Sequence, residues 1–381
     1  MIEIRTISTS KEIEQFIDFR SDLYKDDPYA FPFLFSDEKN VLSKTENPSF
    51  EFCEAEYYMA YRDGKPVGRI AAIINRRANE EWNRKNVRFG FFDTIDDLEV
   101  AEALMDKVRE YGRQRGMENI IGPMGFTDMD REGMLVEGFD SLGTLHANHN
   151  FPYYPVLMDK MGFEKDNDWL QQMVKVPEEV PEKFSKIAKL VGTRYHLKVR
   201  KLSKKELVKQ GMGRRFFQLL NQCYSHLYEF SQLSERQIDI LINTYIALAD
   251  TNLLTFVFDE TIGDGPEAMI GFGISLPSFS EAMKKTRKGR LFPFGWYHLA
   301  KVLFFHKTDI VDLLLIGVLP EYRAKGANAL IFDDLIRWYQ KYGFKEALAL
   351  SMMETNNGVL DQWQYLEART NKRLRSYKGT L

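Results

Sequence analysis

The chain has 381 residues, which exceeds one ordinary hydrophobic core and fits two domains of about 150 to 200 residues each. Hydrophobic residues make up 44% and charged residues 28%, which is the composition of a globular protein rather than a disordered one. The formal net charge of -3 provides no field that would hold a polyanion against salt, and this excludes nucleic acid as the main partner.

Cysteine and histidine spacing gives no indication of a metal site or a disulfide framework. Cys53 and Cys223 are the only cysteines and lie far apart, and the histidine group of His146 and His149 has no acid or cysteine beside it. The N-terminus has no basic segment followed by an apolar run, and no apolar stretch is long enough to cross a membrane. We therefore expect no metal and a cytoplasmic location.

The first half of the chain predicts alternating strands and helices. Ile2 to Ile7 alternates as a strand, and Lys11 to Tyr24 carries apolar residues at helical spacing. Tyr57 to Arg62 and Val67 to Ile74 flank an Asp-Gly pair, which is a strong signal of a β-hairpin. The remaining predicted elements are a strand at 87–93, a helix at 98–114, a strand at 119–122, a helix at 153–161 and a strand at 170–176.

The second half repeats this order after a linker. Pro177 to Pro181 holds two prolines and two acids, which predicts a boundary between domains 1–180 and 181–381. The repeat indicates an α/β (α+β) protein of two tandem domains, each with a mixed central sheet flanked by helices. The predicted elements are strands at 195–202, 254–259, 268–276, 310–318, 346–353 and 373–377, with helices at 205–228, 235–249, 326–342 and 358–368.

The segment from Asp312 to Asp333 carries the clearest chemical signal. An apolar strand runs through Pro320 into a basic turn of small residues, and this turn opens a helix. Free amides at a helix N-terminus attract phosphate, and Arg323 and Lys325 add positive charge. The pattern therefore favours a ligand that carries phosphate groups.

This turn resembles the acyl-CoA loop of the GNAT superfamily of N-acyltransferases, which reads roughly V-x-P-x-Y-R-x-x-G-x-G/A. Val318, Pro320, Tyr322, Arg323 and Gly326 match that pattern, whereas Asn328 stands where the family has Gly or Ala. The resemblance implies a GNAT fold and acetyl-CoA or another acyl-CoA as the donor substrate. It implies binding by Ile316, Gly317, Val318, Arg323, Ala324, Lys325, Gly326, Ala327 and Asn328.

The first half lacks an equivalent loop, because the turn Asp93 to Asp97 offers carboxylates where phosphate needs amides and cations. Its Gly122-Pro-Met segment, its Glu137-Gly-Phe-Asp140 segment and the pair Tyr153-Tyr154 resemble a bacterial family of tandem GNAT-like proteins. That resemblance covers nearly the whole chain and implies the fold more than the reaction. We expect the first half to be a degenerate domain that shapes the acceptor site or has a structural role.

Acyl transfer to an amine needs a group that accepts the amine proton and a proton donor for the leaving thiolate. Glu354, at the end of the strand after the loop helix, and Tyr365, on the next predicted helix, are the catalytic candidates. Each has a structural alternative, because Glu354 would stabilise a helix N-terminus and Tyr365 would pack in the core.

The implied function is transfer of an acyl group from a coenzyme A thioester to an amine of a small molecule or peptide. The alternatives are a long-chain acyl or aminoacyl transferase of tandem GNAT type, and a binding protein whose GNAT folds have lost catalysis. An oligomer is compatible with all three.

A basic run from Lys284 to Arg290 precedes an aromatic stretch that ends at Phe305. Such a segment between two strands could cover a long acyl chain, lie on an anionic lipid surface, or complete the core with basic flanks in water.

Overall fold

The computed structural model describes residues 1–356, 363 and 365–381. The elements of the first half are β1 (Ile2–Ile7), α1 (Ser10–Leu23), α2 (Phe35–Leu42), β2 (Cys53–Arg62), β3 (Lys65–Asn75), α3 (Arg76–Glu81), β4 (Asn86–Thr94), α4 (Leu98–Gln114), β5 (Asn119–Gly122), β6 (Met134–Glu137), α5 (Tyr153–Lys160) and β7 (Glu164–Lys175).

The second half begins with a helix and ends with a long strand. Its elements are α6 (Glu182–Tyr195), β8 (Leu197–Arg200), α7 (Lys204–Lys209), α8 (Met212–Tyr224), α9 (Glu235–Leu241), β9 (Leu254–Asp259), β10 (Met269–Pro277), α10 (Ser280–Met283), α11 (Gly295–Phe305), β11 (Ile310–Val318), α12 (Pro320–Arg323), α13 (Asn328–Tyr342), β12 (Glu346–Met353) and β13 (Ala368–Thr380).

One mixed sheet runs through both halves of the described chain. Its strand order is β1-β2-β3-β4-β5-β13-β7-β12-β11-β10-β9-β8, and β6 pairs with β13. Side chains alternate between the two faces of a strand, so each half has an apolar core on both faces. In β2, Met59 faces the core that contains α1, whereas the next residue, Ala60, faces the core that contains α4. In β9, Phe256 faces the core of α8, whereas Val257 faces that of α13.

The last strand of the chain lies in the middle of this sheet. β13 pairs with β5 of the first half on one side and with β7 on the other. β7 in turn pairs with β12 of the second half. The two halves have therefore exchanged their final strands. The predicted boundary at residues 180 and 181 stays a prediction, and the strand pairing crosses it.

Several elements that local sequence specifies are confirmed. The predicted hairpin is formed by β2 and β3, and its turn residues Asp63 and Gly64 have φ values of 51° and 73°. The predicted helix at 98–114 is α4, and the side chain of Asp97 caps it by accepting from the N–H of Val100. Both cysteines are buried thiols.

Other elements differ from the sequence prediction. α6 extends to Tyr195, so the strand predicted at 195–202 is reduced to β8. Gly211 has φ of 82° and divides the helix predicted at 205–228 into α7 and α8. The last strand is longer than predicted because both of its edges have partners. Most of the helix predicted at 358–368 falls on residues 357–362 and 364, which lie outside the described residues.

None of the helices in the described residues is both long enough and apolar enough to cross a bilayer.

Candidate active site

The central strands β11 and β12 separate partway along their length. They pair as parallel neighbours only from Ile310 and Glu346 to Leu313 and Ala349. Beyond this point the pairing of β12 with β7 contains a bulge, and Ser351 in that bulge has φ of 44°. The residues from 314 to 317 are partly exposed although β11 lies inside the sheet. The result is a cleft along the edge of β11, which we call the strand cleft.

A tyrosine from α8 reaches the edge of β11 that faces the strand cleft. The hydroxyl of Tyr224 donates to the carbonyl oxygen of Ile316 at 3.2 Å and accepts from the N–H of the same residue at 3.3 Å. Both distances are at the long end for hydrogen bonds, so a ligand oxygen could replace the hydroxyl at the amide. Burial raises the pKa of Tyr224 above its ordinary value, which keeps the hydroxyl protonated.

Tyr224 is not among the site residues predicted from the sequence. It lies at the end of a helix with an apolar face, and the helical pattern gave it no distinction from a core residue.

The turn after β11 is more tightly bonded than the sequence suggested. The N–H groups of Lys325 and Gly326 donate to the carbonyls of Tyr322 and Arg323, and the N–H of Ala329 donates to Gly326. Gly326 has φ of 82° and packs close to Ile187 of α6, which covers this side of the turn. Several amides expected to meet phosphate are therefore already paired within the turn.

The two basic side chains of the turn, Arg323 and Lys325, make different contacts. Arg323 donates through Nε to the carbonyl of Val318 at 2.9 Å and through Nη2 to that of Cys223 at 3.3 Å, which ties the turn to β11 and α8. The ammonium of Lys325 lies 4.1 Å from the ring centroid of Tyr322. The nine residues predicted to bind acyl-CoA are thus in one continuous strand and turn, and their role stays a prediction.

The two predicted catalytic residues have different surroundings. Glu354 follows β12, and its carboxylate pairs with Lys165 at 2.5 Å and with Arg373 at 3.4 Å. Tyr365 is 41% exposed and lies beside α6, where the ammonium of Lys183 is 3.2 Å from the centroid of its ring. Glu354 therefore contacts β7 and β13, whereas Tyr365 contacts α6. Their catalytic roles also stay predictions.

Solved structures with this arrangement of strands identify the fold. A tandem GNAT protein from the clavulanic acid biosynthesis pathway matches with a TM-score of 0.58 at 12% identity, over 100% of this chain and 98% of that chain. The chain has the tandem GNAT fold. This confirms the fold that the resemblance implied, and the resemblance at this identity concerns the fold alone.

Two curated proteins are also similar to the chain. Protein YghO of Escherichia coli strain K12 is 26% identical over 98% of this chain and 94% of that protein. A bacterial ceramide synthase of Caulobacter vibrioides is 25% identical over 87% of this chain and 84% of that protein. No protein-family model matches the sequence.

The first GNAT fold of the chain has a strand cleft of its own, but tyrosines fill it. β4 and β5 pair as parallel strands only over the residues from Asn86 to Arg88. Farther along β4, the hydroxyl of Tyr153 donates to the carbonyl of Thr94 at 2.6 Å, and Tyr154 accepts from its N–H at 2.8 Å. The acid Asp93, near the end of β4, is paired with the buried Arg69. These contacts occupy the backbone N–H and carbonyl of Thr94 and the carboxylate of Asp93.

A buried polar network lies where the loop before α5 meets β13. The Nε2 atom of His149 is 2.8 Å from the carboxylate of Asp27, and the ammonium of Lys372 donates to Nδ1 of His149 at 3.5 Å and to the carbonyl of Ser141 at 2.8 Å. Burial lowers the pKa of His149 to about 4 and that of Lys372 to about 8. His149 therefore has an acid partner after all, although Asp27 is far away in the sequence.

Two further buried polar side chains lie on the central strands β7 and β11. Gln171 of β7 is the strand partner of Lys372, is fully buried, and has no hydrogen bond from its side-chain amide to any described residue. Asp312 of β11 is also buried and interacts with Thr144 of the first half and Ser278 of the second. A buried polar group without a protein partner is commonly paired with a water molecule or an ion, or has a catalytic role.

Proposed function

We propose that the protein transfers an acyl group from a coenzyme A thioester to an amine in the strand cleft of its second GNAT fold. The observation that carries this proposal is the position of the Tyr224 hydroxyl on the open edge of β11. There, the N–H of Ile316 and the protonated hydroxyl of Tyr224 are joined by a hydrogen bond. These are the two groups that thioester aminolysis uses.

The reaction needs no covalent enzyme intermediate. The amine attacks the thioester carbonyl carbon, and the oxyanion that forms accepts a hydrogen bond from the N–H of Ile316 in place of Tyr224. The carbon–sulfur bond then breaks, the thiolate takes a proton from the Tyr224 hydroxyl, and the ammonium loses its extra proton. The products are an amide and free coenzyme A, and the tyrosinate regains its proton from solvent.

Glu354 remains the proposed acceptor of the amine proton. It lies at the end of β12, and its pairing with Lys165 and Arg373 keeps the carboxylate in place. The exposed side chain of Arg323 and the nearby Lys325 are proposed to meet the coenzyme A phosphates. Several amides of the turn are already paired within the turn. We therefore expect phosphate binding here to depend more on Arg323 and Lys325 than phosphate binding in a glycine-rich loop depends on its cations.

The relatives suggest which acyl group and which amine are used. A ceramide is an amide of a fatty acid and a long-chain amino alcohol, and one curated relative is a bacterial ceramide synthase. We therefore propose a long-chain acyl-CoA as donor and a long-chain amino alcohol as acceptor. A non-catalytic binding role is the second candidate, because α6 and internal hydrogen bonds close the turn.

Purified full-length protein incubated with palmitoyl-CoA or acetyl-CoA, each with sphinganine or a small peptide amine, tests the proposal. Released thiol and the amide product, measured by mass spectrometry, should appear with palmitoyl-CoA and sphinganine. Product with acetyl-CoA but not with palmitoyl-CoA would support acyl transfer and overturn the proposal of a long-chain donor. Calorimetric binding of acyl-CoA without thiol release for any pair would support the binding protein and overturn catalysis.

A further inference from the structure

The segment between β10 and β11 exposes aromatic side chains to solvent. These are Phe292 (77% exposed), Phe294 (72%), Trp296 (51%), Tyr297 (46%), Phe304 (66%) and Phe305 (68%), which we call the aromatic patch. All the phenylalanines and tryptophans of the described chain that are more than half exposed belong to this patch. The alternative that the segment completes the core is therefore wrong for these side chains.

Helix α11 is oriented with its larger apolar residues away from the protein. Gly295 and Val302 are buried, and Leu299 packs near Met283 and Phe33. The side chains at 296, 297, 304 and 305 point outward into solvent. A helix on a water-facing surface has its polar face outward, so this one is suited to an apolar partner.

The same segment is strongly basic. Residues 282–308 include seven lysines or arginines and no aspartate or glutamate, although the whole chain has a net charge of -3. Lys285, Arg287 and Lys307 are exposed and form no ion pair with any described residue. Lys301 lies on the patch itself, with its ammonium 4.3 Å from the ring centroid of Tyr297. Positive charge thus flanks the aromatic patch in the sequence and contacts it at Lys301.

The segment is held firmly against the first half. The guanidinium of Arg290 binds both carboxylate oxygens of Asp18, at 2.7 and 3.0 Å, and Lys288 pairs with Asp22 at 2.7 Å. The carbonyl of Gly289 accepts from the N–H of Phe35 at 3.0 Å. The aromatic patch is therefore a preformed surface of the folded protein.

We propose that the aromatic patch and its surrounding cations dock the protein on an anionic lipid surface. Aromatic rings enter the boundary between headgroups and acyl chains, and lysine and arginine side chains bind the negative headgroups. With 11 residues, α11 is about 16 Å long, so it can lie in this boundary but cannot span a hydrocarbon layer of roughly 30 Å. Docking is independent of the proposed acyl transfer and is measured without turnover.

Flotation with phospholipid vesicles tests the proposal on the full-length protein. Wild-type protein should float with vesicles of phosphatidylcholine that contain roughly one third phosphatidylglycerol, should stay behind with pure phosphatidylcholine, and should be released by salt. The variants Lys285→Glu/Lys307→Glu and Phe294→Ser/Phe304→Ser should each weaken binding by roughly tenfold or more.

Matched controls use exposed residues elsewhere on the chain. Lys160→Glu/Lys209→Glu changes the same net charge, and Leu248→Ser/Ile262→Ser removes comparable exposed apolar groups. Both should bind anionic vesicles as the wild type does. Equal weakening by the controls, or no binding by the wild type, would overturn the proposal.

Two further measurements identify other occupants of the aromatic patch. A dimer in lipid-free solution that Phe294→Ser/Phe304→Ser converts to a monomer would assign the patch to a second copy of the chain and overturn lipid docking. A shift in thioester chain-length preference in that variant, without any vesicle binding by the wild type, would assign it to the acyl chain and also overturn the proposal. Thermal melts of all variants should match the wild type, since these side chains are exposed.

Discussion

Replacing Tyr224 with phenylalanine tests the proposed chemistry at a single oxygen atom. The ring keeps its contacts with Phe230 and Phe272, and only the hydroxyl that bonds the N–H and carbonyl of Ile316 is lost. Two long hydrogen bonds are broken, so the free energy of unfolding should fall by about 1 to 3 kcal/mol. If the hydroxyl supplies the thiolate proton, the acyl-transfer rate should fall by roughly 100-fold or more.

The assay is single-turnover acyl transfer with saturating donor, followed by thiol release, alongside urea unfolding of the same protein. Tyr228→Phe is the matched control, because it removes another hydroxyl of the same region that bonds Asp166 rather than β11. It should lower stability and leave the rate nearly unchanged. A Tyr224→Phe protein with the wild-type rate or a faster one would refute the role of the hydroxyl and indicate that it only fills the strand cleft.

Three further predictions concern charges. Glu229→Ala should lower the free energy of unfolding by about 3 to 5 kcal/mol, because it leaves the buried Arg88 without its carboxylate partner. Adding Arg88→Met to this variant should recover part of the lost stability. No recovery in the double variant would contradict the pairing of Arg88 with Glu229. Burial raises the pKa of Asp312 to about 7 from 3.8, so the unfolded chain gives up this proton first and stability falls as pH rises from about 4 to 7. Asp312→Asn should therefore stabilise the protein above pH 7 by up to about 4 kcal/mol in thermal melts, with a gain that vanishes near pH 4. Arg323→Glu should weaken coenzyme A binding by about 1 to 3 kcal/mol in calorimetry, and unchanged affinity would remove this residue from the proposed phosphate site.

The sequence predicted the parts of the fold that neighbouring residues determine. The Asp-Gly turn requires two positive φ angles, and these are the angles that Asp63 and Gly64 adopt. The strand and turn from Ile316 to Asn328 were likewise recognisable because the whole motif is contiguous. Helix α6 was missed, because no element was predicted between the linker Pro177 to Pro181 and residue 195; the helix forms there by packing against α13.

The site itself depends on contacts between distant residues, which a single sequence does not reveal. Tyr224 reaches Ile316 only because α8 crosses the face of β11, and the two residues are 92 positions apart. Asp27 and His149 are separated by 122 positions, so the histidine looked unpaired. Lys372 enters the same network because β13 crosses into the middle of the sheet, which periodicity in the last strand cannot indicate.

The exchange of final strands has a consequence for how the protein is made. β7 is synthesised before residue 180, but both of its neighbours in the sheet come from the second half, and residues 377–380 pair with residues 119–122. The first half therefore leaves the ribosome with unpaired strand edges, and it keeps them until β13 has been translated. Such late closure favours slow folding and exposes the nascent chain to aggregation. It also means that neither half can be removed or expressed alone without taking a strand from the sheet of the other.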